Sequence, residues 1–245
     1  TGEMKDDGMY EGLTYLKCNA ENGFVSELPE EDVDIIYLWY PNNPTGAVYS
    51  RSDLTKIANI ASKHNLIIIS DEIYEHFIYD EAHFSIGSIY PDTITMNGFS
   101  KEYAMTGWRL GYISGPSYII DAINELQQYM VFSSSSISQY AAIEALSHPS
   151  QFQSKYKAKR DFTVSQLQEM GYEVKGAKGA YYVFFKAPND MTDLEFIEKA
   201  AEQELLLVPG RAFSSRHGYV RLSYGIDQKE LKEGLRRLRL ITNVL

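Results

Sequence analysis

Three short, mostly apolar runs constrain this chain more than any other feature: Asp34–Tyr40 (DIIYLWY), Leu66–Ser70 (LIIIS) and Thr93–Phe99 (TITMNGF). A strand wetted on one face alternates apolar with polar residues, whereas near-continuous apolar strands belong to sheets covered on both faces. Between the first two runs lies SRSDLTKIANIASKHN, with Leu54, Ile57, Ala58 and Ala61 at helical spacing. Ser50 and Asp53 stand where a capping box would open that helix. Arg109–Gly115 (RLGYISG) reads as one more short strand. Strand, helix and strand in this order predict an α/β fold with a buried, largely parallel sheet.

The second half has a different rhythm. SYIIDAINELQQYMVF and SISQYAAIEALSH read as helices, and SQFQSKYKAKRDFTVSQLQEMG as a long amphipathic one with Gly171 as its C-cap. Strand-like YEVKG and AYYVFFKA follow, then a helix at DLEFIEKAAEQE, strands at LLLVPG and YVRLSYG, and a last helix from about Asp227. The expected division is a partial large domain over residues 1–149 and a C-terminal α+β small domain over 150–245, with the long helix as the hinge.

Composition narrows the function classes. The formal net charge of −10 over 245 residues argues against a nucleic-acid binder or a protein held on anionic membranes, because either requires a basic face. The single cysteine, Cys18, forms no internal disulfide and fits a reducing compartment. No signal peptide and no bilayer-length apolar run is evident. A cytoplasmic enzyme or binding protein is expected. The opening, TGEMKDDGMYEGLTYL, is acidic and loop-like, and it reads as the middle of something longer.

Several positions carry chemistry, each with a plainer alternative. Asp71 sits just past the LIIIS strand, and ligands of open α/β sheets bind beyond the carboxyl ends of strands. An acid there faces a cationic ligand atom, or it simply caps a helical turn. Tyr74 shares a face with Asp71 if DEIY is a helical turn; otherwise it is one of 19 tyrosines packed in a core. Asn43, in the turn PNNPTG, is expected to project into the same crevice, though most such stretches are only tight turns. Lys101 follows NGFS; a lysine amine in a dry cleft attacks an aldehyde. Ser100 and Arg109 offer a hydroxyl and a planar fork to one phosphate. Glycines 98, 107 and 111 permit close backbone approach.

The stretch GFSKEYAMTGWRLG, Gly98 to Gly111, resembles the pyridoxal-phosphate attachment signature of class I and II aminotransferases of fold type I. YPNNPTG, SDEIYEHFIY, GAYYVFF and VPGRAF…YVRLSYG recur in that family in the same order. The resemblance covers essentially the whole chain, which matches the later two-thirds of a complete family member. It implies pyridoxal 5'-phosphate as cofactor, with Lys101 in Schiff-base linkage and as proton shuttle. Asp71 would pair with the pyridinium nitrogen, and Asn43 and Tyr74 with the ring's phenolate oxygen. Ser100 and Arg109 would bind the phosphate, and Arg221 would grip the substrate α-carboxylate. No metal is implied. A homodimer acting on an amino acid and a 2-oxo acid is implied too.

The family's N-terminal third has no counterpart here, and with it go a phosphate loop, an aromatic that stacks on the ring and a tyrosine lent across the dimer. These 245 residues alone are expected to bind the cofactor weakly or not at all. Gly98 replaces a small hydroxyl residue often found at that position. The similarity of SKEYAMTGWRLGY to the aspartate/aromatic group favours aspartate or a broad range of donors, with aromatic amino acids next. NAENGFVSELP…VDIIYL is similar to LL-diaminopimelate aminotransferases, the third reading. A β-lyase of the same fold, a non-catalytic effector domain and an inactive fragment complete the alternatives.

Overall fold

The computed structural model describes residues 3–4, 9–28, 33–148, 151–214 and 217–244. By its internal contacts the chain forms two compact units. One comprises residues 32–41 and 48–153; the other comprises residues 1–31, 42–47 and 154–245. Packing therefore gathers the N-terminal segment and the 42–47 turn with the C-terminal part, where the sequence suggested a single cut near residue 150.

The first unit is built on a four-stranded sheet in the order β1-β2-β3-β4, where β1 is Ile35–Trp39, β2 Ile67–Asp71, β3 Thr93–Gly98 and β4 Gly111–Ser114. β1, β2 and β3 run parallel, with Trp39 opposite Asp71 and Asp71 opposite Met96; β4 is antiparallel, with Gly98 opposite Gly111. Helix α1 (Arg51–His64) makes the crossover from β1 to β2. Its start is the expected capping box of Ser50 and Asp53, and Asn65 ends it in the left-handed conformation at φ 52°. Leu54, Ile57, Ala58 and Ala61 are its buried face, as their spacing predicts. They join Ile36, Leu38, Ile68 and Ile86 in the core.

Two strand expectations change. β1 alternates buried and open, with Ile35 and Tyr37 about half exposed, although its sequence is continuously apolar. β4 begins only at Gly111, because Arg109 adopts the left-handed conformation at φ 51°, which no strand accommodates. Helices α2 (Ser117–Met130) and α3 (Ser136–Ser147) complete this unit.

The second unit holds an antiparallel sheet in the order β5-β7-β6, with β5 Tyr182–Lys186, β6 Val208–Pro209 and β7 Tyr219–Ser223. Helices α4 (Gln153–Glu169), α5 (Asp193–Glu202) and α6 (Gln228–Val244) accompany it, α4 entering this unit at Ser154. Gly171, at φ 87°, closes α4 as expected: its N–H bonds the Gln168 carbonyl and the Tyr172 N–H bonds that of Leu167, the paired bonds of a Schellman end. YEVKG is no strand; it touches the sheet through one bridge, Val174 to Phe185. LLLVPG contributes only Val208 and Pro209. Thr192 and Glu195 form a capping box on α5. Val183, Phe185, Phe196, Ala200, Val220 and Leu238 are fully buried. The 42–47 turn is pinned to this unit through Gly46, whose carbonyl accepts from the Lys178 and Gly179 N–H groups. A β-carbon on Gly46 would lie 2.8 Å from the Gly179 oxygen, so only glycine fits. Among the described residues no helix is long and apolar enough to cross a membrane.

Candidate active site

Asp71 is the last residue of β2, and Ser100 and Lys101 occupy the turn immediately after β3. The two strands are parallel neighbours, so the carboxylate and the amine emerge at the carboxyl ends of adjacent strands, where open sheets bind ligands. The chain leaves β2 without the helical turn suggested for DEIY. Asp71 Oδ1 accepts the Ile73 N–H at 3.2 Å, and a short 3-10 turn begins only at Glu75. The capping reading of Asp71 is thus realised by one oxygen. The other, Oδ2, accepts the Tyr37 hydroxyl at 3.3 Å. Burial pushes the Asp71 carboxyl above its ordinary value, and neighbouring Glu72 adds to this; the Ile73 N–H, the Tyr37 hydroxyl and the Lys101 charge pull the other way. Tyr37 is pushed up to about 12, by burial first and then by Asp71.

Tyr74 is 2 % exposed. Lys101 Nζ lies 5.8 Å from the centre of its ring, within cation–π range. Lys101 is half-buried. Among the described residues its amine has no hydrogen bond or ion pair beyond that ring and the Asp71 field. The loop that follows is strained, since Ala104 and Arg109 both take positive φ, 52° and 51°. Each costs about 1 kcal/mol for a side chain with a β-carbon. Arg109 is exposed and spends one N–H on the Thr106 carbonyl at 2.9 Å, which leaves most of its fork open. Gly98 and Gly111 face each other across β3 and β4; a β-carbon on Gly98 would meet Gly111 Cα at 3.0 Å and the Leu110 oxygen at 3.1 Å. Close approach is therefore real at 98 and 111. At Gly107 it is not, because nothing lies within 4 Å of a β-carbon there.

The second unit brings together the remaining two expected residues. Arg221, on β7, donates from Nη1 to Asn43 Oδ1 at 2.7 Å. Its guanidinium carbon lies 4.5 Å from the centre of the Tyr182 ring and 4.8 Å from that of Phe213. Its Nε is buried without a partner among the described residues. A buried charged N–H left unpaired is costly, and a carboxylate is the natural acceptor for it.

Sequence reasoning missed Tyr37, Tyr182 and Phe213 as neighbours of these groups. The latter two lie inside GAYYVFF and VPGRAF, motifs singled out for other reasons; Tyr37 carries no signal in an apolar strand. It also missed a buried polar cluster behind Asp71. Glu72, 1 % exposed, accepts from Ser70, Ser85 and Tyr40 and contacts His83. Glu75 accepts from Asn97 Nδ2 at 2.6 Å, and His76 contacts both Glu75 and Glu102.

Comparison with known proteins identifies the family. The family model for aminotransferase class I and II matches residues 21–238. Aspartate aminotransferase of Pyrococcus abyssi is 41% identical over 214 residues, which cover 82% of this chain and 55% of that protein. Aromatic-amino-acid aminotransferase 2 of Thermococcus litoralis is 39% identical over 214 residues, with the same shares. The chain thus spans about half the length of these curated relatives. In three dimensions it resembles the aspartate aminotransferase of Thermotoga maritima, with a TM-score of 0.88 and 33% identity, covering 93% of this chain and 63% of that one. The fold is that of fold type I aminotransferases, and the chain belongs to the class I and II aminotransferase family.

Proposed function

We propose that the protein is a pyridoxal-phosphate-dependent aminotransferase that moves an amino group from an L-amino acid to a 2-oxo acid such as 2-oxoglutarate. The observation that carries this reading is the pairing of Asp71 and Lys101 at the carboxyl ends of adjacent parallel strands, the amine uncommitted and resting over the Tyr74 ring.

The residues present fit this cofactor by the chemistry of their donor set. Asp71 offers a carboxylate to a protonated ring nitrogen, Lys101 an amine to an aldehyde, and Tyr74 and Asn43 polar groups to a phenolate oxygen. Ser100 and the open fork of Arg109 suit a phosphate. When bound, the cofactor supplies an electrophilic aldehyde and an electron sink. Asp71 holds a proton at the ring nitrogen. Lys101 Nζ removes the proton from the substrate Cα and later returns one, acting as general base and then acid. Arg221 binds the α-carboxylate through Nε and Nη, and the Tyr182 and Phe213 rings keep its plane fixed.

Aspartate or a broad donor range is the first choice, supported by the names of the relatives; aromatic donors come second and diaminopimelate third. The large part ending near residue 149 carries the cofactor in this reading, and the whole protein works as a cytoplasmic homodimer. The test is the visible spectrum of the protein with pyridoxal phosphate, followed by a survey of amino donors. A band abolished in Lys101→Ala supports the reading. A band unchanged in that variant, or pyruvate and ammonia as products, refutes it.

A further inference from the structure

Glu72 is a carboxylate almost wholly removed from water, at 1 % exposure. Burying an isolated carboxylate costs several kcal/mol. Here the cost is met by directed partners. Oε1 accepts from Ser70 Oγ at 2.7 Å, Ser85 Oγ at 2.9 Å and the Tyr40 hydroxyl at 3.1 Å, and Oε2 lies 2.6 Å from His83 Nε2. The Tyr40 hydroxyl is itself held by the Ile86 N–H at 3.0 Å. The backbone of residue 72 is fixed as well: its N–H bonds the Met96 carbonyl on β3, and its carbonyl accepts the Glu75 N–H, both at 2.9 Å.

The mechanism above uses none of these groups. Replacing buried polar and ionic groups by apolar side chains is often neutral or stabilising, so stability alone is a weak account of this cluster. An apolar residue would fill the space but would not fix a direction. Residue 72 follows Asp71 directly and precedes Tyr74 by two, at the point where β2 gives way to the turn. We propose that Glu72 is a positioning residue: its four side-chain partners lock the 71–74 turn so that the Asp71 carboxylate and the Tyr74 ring are presented to the cofactor in one fixed orientation. This rests on the proposed cofactor chemistry. The donor atoms of Glu72, Glu75 and His83 lie within 4.8 Å of one another, yet both Glu72 oxygens are already engaged, so the cluster is not offered as a metal site.

The experiment compares wild type, Glu72→Ala, Glu72→Gln and Tyr90→Phe. Tyr90 bonds the Leu66 carbonyl from its buried hydroxyl and serves as a purely structural control. Three quantities are read for each: the thermal midpoint of the cofactor-free protein, the affinity for pyridoxal phosphate by absorbance titration well below that midpoint, and the pH midpoint of the bound cofactor's visible absorbance. Glu72→Ala is expected to weaken affinity about tenfold or more, the size that outer partners of a bound group carry, and to shift the pH midpoint. Glu72→Gln keeps an oxygen for the three hydroxyls and is expected to restore affinity to within about threefold. Tyr90→Phe should lower only the thermal midpoint. Glu72→Ala that binds and titrates like wild type overturns the proposal. Should Glu72→Ala not fold, Ser85→Ala replaces it: a smaller shift in the same direction supports the proposal, and an unchanged pH midpoint overturns it. If Lys101→Ala leaves the wild-type band intact, the functional reading fails and takes this inference with it; a Glu72→Ala that binds and titrates like wild type, with the band still dependent on Lys101, sinks only this inference.

Discussion

Asp193 offers the most direct test of the energetics. It is the first residue of α5, its side chain is fully buried, and Arg211 surrounds it: the Arg211 backbone N–H at 2.9 Å, Nη2 at 2.7 Å and Nε at 3.1 Å. His217 Nδ1 lies 3.9 Å from it. These donors, Arg211 above all, hold the Asp193 carboxyl well below its usual value of 3.8, at about 2. At roughly 1.4 kcal/mol per unit, that difference amounts to about 2 kcal/mol of stability at neutral pH.

The sign follows from linkage. A carboxyl with a lowered folded value stabilises above its unfolded value and loses that contribution as pH falls toward the folded one. Asp193→Asn keeps an oxygen for the Arg211 N–H and removes only the charge. The variant should therefore melt about 4–8 °C below wild type at pH 7, from roughly 2–4 °C per kcal/mol for a chain of this size. The gap should hold down to about pH 5 and close between about pH 4 and pH 2. Thermal melts followed by circular dichroism across that range measure it. A gap under about 1 °C at pH 7, or one that does not change between pH 5 and pH 2.5, refutes the argument that this ion pair stabilises through charge.

Three further outcomes are expected. Asp71→Asn should raise the thermal midpoint of the cofactor-free protein at pH 7 while weakening cofactor binding: the folded value of Asp71 is raised by burial, so its charged form costs stability above that value. A lower midpoint would contradict this. Gly98→Ala should destabilise by roughly 1–3 kcal/mol in urea unfolding, because the new methyl meets Gly111 Cα and the Leu110 oxygen; an unchanged transition would show that β3 and β4 separate without cost. His76 is raised above its usual value by the Glu75 hydrogen bond and the Glu102 and Glu75 charges. Its contribution is therefore present below about pH 6.5 and lost as pH rises through the folded value, so the stability gap between wild type and His76→Gln should shrink from pH 6 to pH 8.5.

Much of the architecture was legible because the relevant signals are local. The capping box at Ser50 and Asp53, the buried stripe of α1 and the glycine end of α4 each follow from residues within one or two turns of each other. The misreadings share a different cause. YEVKG has the composition of a strand, yet only Val174 finds a partner, and strand pairing is decided by distant neighbours. RLGYISG looks like one strand, but the left-handed Arg109 moves its start to Gly111. No propensity scale anticipates a left-handed arginine; such strain is held by the surrounding structure and gathers at functional sites.

The candidate site divides along the same line. Lys101, Asp71, Ser100 and Arg109 were singled out because they stand in short motifs that resemble a family's. The buried polar groups around them were not, because such contacts join residues far apart in sequence. Tyr40 reaches Glu72 across 32 residues, and Tyr37 reaches Asp71 across 34. Periodicity reports which face is apolar; it says nothing about which buried polar group meets which. Glu72 shows the consequence. Read along the chain it is one acid in the run DEIYE. In the folded unit its two oxygens meet Ser70, Ser85, Tyr40 and His83, partners that no local motif announces.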